Sequence, residues 1–167
     1  MQELKDRIRN RKVILFVGAG VSSCLGLPTH SQLIAHIAAE LGYDPDVFSS
    51  YGDHLSLAEY YQIQRGTIGS LRSWMDVEWH HGSIDIAKSR VHRLIVELDF
   101  PIIYTTNFDR WIERAFESYP KAYVKIADAP DLQKIQDNVT QIVKFHGDFD
   151  NDDSTHAGRV GSRFRLH

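Results

Sequence analysis

The chain has 167 residues, of which 43% are hydrophobic and 25% charged, so it is long enough to bury the core of one globular domain. Its net charge of −3 and pI near 6.3 give no electrostatic footprint for nucleic acid, and the single cysteine, Cys24, excludes an internal disulfide or a zinc site built on paired cysteines. There is no apolar run near the roughly 20 residues of a membrane span and no signal-peptide pattern, so the sequence predicts a soluble cytoplasmic protein without a membrane partner.

Hydrophobic periodicity predicts helices and buried strands in alternation along the chain. The predicted helices are 2–10, one beginning near 29–31 and running to 41, 55–64, 68–79, 84–98, 110–116 and a short 132–136. The predicted strands are 13–17, 102–106, 122–126 and 141–145, with a loop over 43–54. The first strand is a continuous apolar run, which is typical of a strand buried on both faces. The alternation predicts an α/β fold with a parallel sheet.

A glycine turn follows the first predicted strand and contains Gly18 and Gly20. A strand that leads through glycines into a helix presents backbone N–H groups to a pyrophosphate, and the missing Cβ atoms let the phosphates approach the backbone. The match to the G-x-G-x-x-G pattern is incomplete because Ser23 stands at the third glycine position. The turn therefore indicates a nucleotide site, with a plain strand-to-helix connection as the alternative.

Polar side chains follow two later strands of the predicted sheet. Thr105 and Thr106 end the second predicted strand, Asn107 and Asp109 follow it, and His146 comes after the fourth. Ligands of parallel α/β sheets bind at the carboxyl ends of strands, which would bring these groups to the glycine turn. An amide and an imidazole there suit a reaction that orients and deprotonates a water or a ribose hydroxyl, such as cleavage of the nicotinamide–ribose bond of NAD. The alternative is a turn asparagine and a packing histidine.

Three motifs in this order resemble those of the sirtuin family. They are Gly18-Ala19-Gly20-Val21-Ser22 followed by Gly26-Leu27-Pro28, then Thr106-Asn107-Phe108-Asp109, then Phe145-His146-Gly147. The chain is similar in particular to bacterial sirtuin-like domains that hydrolyse NAD, often as effectors of anti-phage defence, and the resemblance covers roughly residues 10–150. It implies a Rossmann-like parallel sheet with flanking helices, with NAD as substrate and no metal.

The resemblance also implies roles for individual residues. It assigns cofactor binding to Gly18, Ala19, Gly20, Ser22, Thr106 and Asp109. Within that set the glycine segment would hold the phosphates, and Asp109 would contact the nicotinamide carboxamide. Asn107 would orient the attacking water or ribose hydroxyl, and His146 would be the general base.

Departures from the family pattern favour NAD hydrolysis over protein modification. The paired cysteines of the zinc ribbon in protein-deacylating sirtuins are absent, and Pro28-Thr29-His30 lacks the arginine common at this point. A deacylase or ADP-ribosyltransferase is therefore disfavoured. A non-catalytic module that senses NAD or ADP-ribose is the other alternative, although a sensor needs neither Asn107 nor His146. The expected partner is NAD, and assembly as a homo-oligomer or with a partner subunit of a defence system is a further possibility that the sequence leaves open.

The last residues, 151–167, have no run of four apolar residues and are rich in glycine and arginine towards the end. This composition predicts a disordered tail after a sirtuin-like NAD-binding domain over 1–150. Relatives of the family look longer here, so the chain resembles a C-terminally truncated copy whose second half of the fold is missing or incomplete. We then expect one uncovered sheet edge, weak NAD binding and poor turnover. The alternative is a compact variant that closes its sheet differently.

Overall fold

The computed structural model describes residues 2–145, 147 and 148, without the side chains of His30, His54 and Leu55. Its helices are α1 (Gln2–Arg9), α2 (Ala19–Ser23), α3 (His30–Leu41), α4 (Pro45–Ser49), α5 (His54–Arg65), α6 (Gly69–Trp79), α7 (Arg90–Glu97) and α8 (Trp111–Ser118). Its strands are β1 (Leu15–Val17), β2 (Ile102–Thr105), β3 (Tyr123–Ile126) and β4 (Thr140–Lys144). His146 and residues 151–167 lie outside the described residues, so the role of His146 as general base and the disordered tail stay predictions.

The four strands form one sheet in the order β1-β2-β4-β3, and every neighbouring pair is parallel. Each predicted strand lies within two residues of an observed one. The register pairs Val17 with Thr105 and Thr105 with Lys144, so β1, β2 and β4 end side by side. This arrangement, with flanking helices, confirms the predicted Rossmann-like α/β fold.

The chain divides into two compact units, one built from residues up to Leu25 and from Gly82 onward, the other from Gly26–His81. The first unit holds the sheet. Helices α7 and α8 supply one side of its core, and alternate residues of the strands supply the other. The buried core residues are Val17, Ile95, Val96, Phe100, Ile103, Ile112, Ala115, Phe116 and Ile142.

The second unit contains α3 to α6 around its own core. Its buried residues are Leu33, Ile34, Ile37, Ala38, Phe48, Leu57, Tyr61 and Leu71. The start of α3 carries a capping box between Thr29 and Gln32, and Gly42 caps the end of the helix in the left-handed conformation with φ 78°. No helix within the described ranges is long and apolar enough to cross a membrane.

The prediction that the first strand is buried on both faces is wrong. Phe16 of β1 is 64% exposed and Phe145 is 56% exposed, and the two rings stack at 6.0 Å between centroids. Tyr104 of β2 stacks on Phe145, the residue after β4, at 5.1 Å between centroids. The three aromatic rings thus form one row on this face of the sheet. Side chains alternate between the faces of a strand, and only Leu15 and Val17 of β1 join the core under the helices.

Side-chain caps explain where the helix predictions are wrong. The helix predicted over 84–98 is a 3₁₀ turn, Ile86–Lys88, followed by α7, because Asp85 and Ser89 each accept a backbone N–H and start separate turns. The predicted loop over 43–54 contains α4, since Asp44 accepts from two amides and a proline occupies the first turn. The short helix predicted at 132–136 is a 3₁₀ turn at Ala129–Lys134.

Candidate functional site

Asn107 lies just beyond the end of β2 and is held in one orientation. The residue is only 7% exposed, and its Nδ2 donates to Ser22 Oγ at 2.9 Å and to the Gly18 carbonyl at 3.3 Å. Its backbone N–H donates to Thr105 Oγ1 at 3.0 Å. A backbone carbonyl can only accept, so the amide nitrogen must face Gly18. The side chain can therefore address a water or a hydroxyl only through the acceptor Oδ1.

The glycine segment lies beside Asn107, as the sequence predicts, but the turn is shorter than expected. Helix α2 begins at Ala19, directly after Gly18, whose φ of −118° is ordinary extended backbone. A Cβ added at Gly20 would have no neighbouring atom of the described residues within 4 Å, and Gly20 is not among the glycines with positive φ. Neither the backbone conformation nor the packing of the chain requires glycine at position 20. The open space there is what a ligand close to the backbone would need.

Ser22 connects the glycine segment to Asn107. It is 3% exposed, and its hydroxyl accepts the Asn107 amide hydrogen bond. A hydroxyl that is buried and already bonded in this way is well placed to fix Asn107. The predicted contact of Ser22 with a phosphate stays a prediction.

Thr106 and Asp109 complete the segment after β2. Thr106 N–H donates to the Val17 carbonyl at 3.3 Å, and the Thr106 hydroxyl oxygen would lie 4.0 Å from a Cβ added at Gly18. Asp109 is buried, and its Oδ1 accepts the Trp111 N–H at 3.0 Å where α8 begins. The structure therefore brings all the predicted cofactor-binding residues to the ends of β1 and β2.

Lys144, at the end of β4, is a buried charge that sequence reasoning missed. Its Nζ lies 2.7 Å from the Asp109 carbonyl, 3.1 Å from the Phe108 carbonyl, 3.1 Å from Glu113 Oε1 and 2.8 Å from Asp148 Oδ1. Burial raises the pKa of Glu113, and the ammonium of Lys144 opposes that rise. The period of two along β4, where Thr140, Ile142 and Lys144 are all buried, is the signal that could have found it.

His92 on α7 is a second buried polar residue, and no motif in the sequence singles it out. Its side chain is fully buried, and its Nδ1 lies 2.7 Å from the Ser89 hydroxyl. Burial lowers the pKa of His92, and the negative charge of Asp109 opposes the shift. The ring is therefore held in its neutral form next to the segment that carries Asn107.

His92 makes the stability of the protein depend on pH. Because the pKa of His92 is lower in the folded state than the ordinary value of about 6.5, the unfolded state takes up the proton first as the pH falls. The contribution of neutral His92 to the free energy of unfolding is complete above the unfolded-state pKa, and it is lost as the pH falls towards the lower pKa of the folded state. We expect the free energy of unfolding to fall less steeply in His92→Asn than in the wild type between about pH 8 and about pH 5. Denaturant titration at each pH measures this, and parallel curves would contradict it.

Among residues 2–145, 147 and 148, no group of three or more His, Cys, Asp or Glu side chains is placed to hold a metal ion. The described residues bring backbone amides, hydroxyls, a side-chain amide and buried charges to the site. This set suits the binding and orientation of a polar ligand.

The chain is similar to one described family and to several known proteins. Residues 101–159, about a third of the chain, match the family described as "SIR2-like domain". The chain is 28% identical to the NAD(+) hydrolase ThsA of Enterococcus faecium over 93% of its own length and 32% of that protein. It is 28% identical to the NAD(+) hydrolase ThsA of Bacillus cereus over 89% of its length and 30% of that protein. Defense-associated sirtuin 2 of Bacillus subtilis is 26% identical over 89% of the chain and 14% of its own length.

The chain spans about a third or less of the length of these relatives. The SIR2-like match begins just before β2 and includes the Thr106–Asp109 and Phe145–Gly147 motifs. The match to the Enterococcus faecium protein also includes the glycine segment, because it covers 93% of the chain. The comparisons therefore confirm the resemblance to the sirtuin family that the three motifs predict. The matched family is the SIR2-like domain, and the relatives are named as NAD(+) hydrolases.

Proposed function

We propose that this chain carries the NAD-cleaving site of a sirtuin-like NAD(+) hydrolase, which breaks the bond between nicotinamide and ribose. The observation that carries the proposal is the fixed amide of Asn107, bonded to Ser22 Oγ and the Gly18 carbonyl beside the open space at Gly20. The relatives named as NAD(+) hydrolases support the same substrate.

Binding of NAD would use the backbone first. The first amides of a helix have no partner within the helix, and those of α2 follow β1 directly. They would donate to the pyrophosphate at Gly18, Ala19 and Gly20, with Thr106 alongside. Asp109 would contact the nicotinamide carboxamide and so fix which way the ring leaves.

Cleavage would then need an oriented water. As the C1′–N bond breaks, nicotinamide leaves as a neutral ring and the ribose becomes oxocarbenium-like. Asn107 Oδ1 would accept a hydrogen bond from the attacking water, and His146, the proposed general base, would take its proton while the water oxygen bonds to C1′. The products are nicotinamide and ADP-ribose, and no protein group is modified.

The biological output would be depletion of NAD in the cytoplasm, as part of anti-phage defence. The name of the relative Defense-associated sirtuin 2 supports this setting. A homo-oligomer or a partner subunit would complete such an effector.

The test is release of nicotinamide and ADP-ribose from NAD by the purified 167-residue chain, followed by chromatography over hours because the sequence predicts slow turnover. We expect release that is independent of any acylated peptide. Calorimetry on the same sample measures NAD binding. Binding without release would favour the sensor, and peptide-dependent release would favour a deacylase. A chain that neither binds NAD nor releases nicotinamide would contradict the proposal.

A further inference from the structure

We propose that Lys144 is a positioning residue that holds the segment 107–109 against the end of β4 and thereby sets where Asn107 Oδ1 lies, an inference that rests on the proposed function. Lys144 is the last residue of β4, and its side chain is fully buried on the same face of the sheet as Thr105. No contact between Lys144 and a ligand is required. Its effect passes through the protein backbone.

The ammonium of Lys144 has more acceptors than it has hydrogens. Three N–H groups face four oxygens within 3.1 Å, so every donor is engaged. Two of these oxygens are the main-chain carbonyls of Phe108 and Asp109, the residues that directly follow Asn107. A single buried group thus fixes the backbone on one side of Asn107, while Ser22 and Gly18 fix its side chain.

The surrounding charges keep this ammonium in place. Glu113 on α8 and Asp148 both lie within 3.1 Å of Lys144, and Asp148 also pairs with Lys125 of β3. The side chains of Lys144 and Asp148 are fully buried, and that of Glu113 is nearly so. Two lysines therefore balance two carboxylates in a setting where an unpaired charge would be strongly unfavourable.

Stability alone does not explain this arrangement. A buried ion pair can often be replaced by apolar or neutral groups without loss of stability, because burial removes the hydration of both charges. The two carbonyl contacts cannot be replaced in this way, because the side chain of a methionine or leucine at position 144 has no N–H to donate to the carbonyls of Phe108 and Asp109. A variant that restores charge balance without restoring a donor therefore separates positioning from stabilisation.

The test compares Lys144→Met with the double variant Lys144→Met/Glu113→Met in the full chain, since methionine at position 113 removes the charge and adds no donor. Lys144→Met leaves Glu113 buried without its cation and should lower the melting temperature. The double variant removes that unpaired charge, while Asp148 keeps Lys125, and should recover most of the loss. In both variants we expect the nuclear Overhauser contact between the Asn107 side-chain amide and Ser22 to disappear, and NAD affinity to fall at least about tenfold.

Lys121→Met is the matched control. Lys121 Nζ also donates to a carbonyl, that of Val96 at 3.0 Å, and pairs with a carboxylate, Asp99 at 2.8 Å, but it lies just before β3, at the opposite end of the sheet. Its loss should lower the melting temperature while the Asn107–Ser22 contact and NAD affinity stay at wild-type values.

The double variant decides the proposal. A double variant that keeps both the Asn107–Ser22 contact and wild-type NAD affinity would overturn it, because Lys144 would then only stabilise the fold. Loss of both in a double variant with recovered melting temperature supports it. If the wild type itself does not bind NAD, the proposed function fails, and the Asn107–Ser22 contact alone decides whether Lys144 positions the segment. If Lys144→Met does not fold, the double variant carries the comparison.

Discussion

Asn107→Ala is expected to lower the rate of nicotinamide release by about 10²–10⁴-fold, the usual contribution of a group that orients or transfers a proton. The alanine lacks the acceptor Oδ1, the only side-chain atom of Asn107 that can address the attacking water while the amide nitrogen faces Ser22 and Gly18. The measurement is the initial rate of nicotinamide release at saturating NAD. Full activity in the variant would remove Asn107 from the mechanism.

Ser22→Ala is the matched control for this variant. Both substitutions break the 2.9 Å hydrogen bond between Ser22 and Asn107, but only Asn107→Ala removes Oδ1. Because the bond is buried, each should lower the free energy of unfolding by about 1–3 kcal/mol. We expect Ser22→Ala to lose much less activity than Asn107→Ala at a similar melting temperature. Equal losses of activity would mean that the hydrogen bond, and not Oδ1, carries the effect.

Gly20→Val is expected to block NAD binding. A Cβ at this position meets no neighbouring atom within 4 Å in the part of the chain that the structure describes. The branched side chain therefore fits the fold but fills the place where a pyrophosphate would meet the first turn of α2. The affinity measured by calorimetry should fall at least tenfold, or about 1.4 kcal/mol. The cost to the helix itself stays below about 1 kcal/mol, since glycine is already a poor helix former.

Gly82→Val controls for the substitution itself. A Cβ at Gly82 also meets no atom of residues 2–145, 147 and 148 within 4 Å, and this glycine, like Gly20, does not have a positive φ. We expect Gly82→Val to bind NAD as the wild type does. Wild-type affinity in Gly20→Val as well would place the phosphate site elsewhere in the protein.

The sequence alone explains part of these two expectations. It predicts Asn107 and the glycine segment as neighbours, because both follow strands of a parallel sheet whose carboxyl ends share one edge. Only the structure shows that the backbone conformation at position 20 does not require glycine and that Asn107→Ala breaks a buried hydrogen bond. Gly20 lies inside α2, and Asn107 is buried between Ser22 and Gly18.

Local pattern determined the strands, most of the helices and the three motifs of this protein. Apolar periodicity and turn residues act over a few neighbours along the chain, so they can be read without the fold. The prediction that His146 is the general base rests on this pattern and on the family resemblance.

Tertiary structure alone decided which side chains are buried and which groups meet. The strand order places β4 between β2 and β3, which no run of residues states, and it brings Lys144 to the backbone of Phe108 and Asp109. The same packing covers one face of β1 with α7 and α8 and leaves Phe16 exposed on the other. These outcomes depend on contacts between residues far apart in the chain, such as Glu113 and Lys144, whose energies are set by burial and by charge balance and not by local propensity.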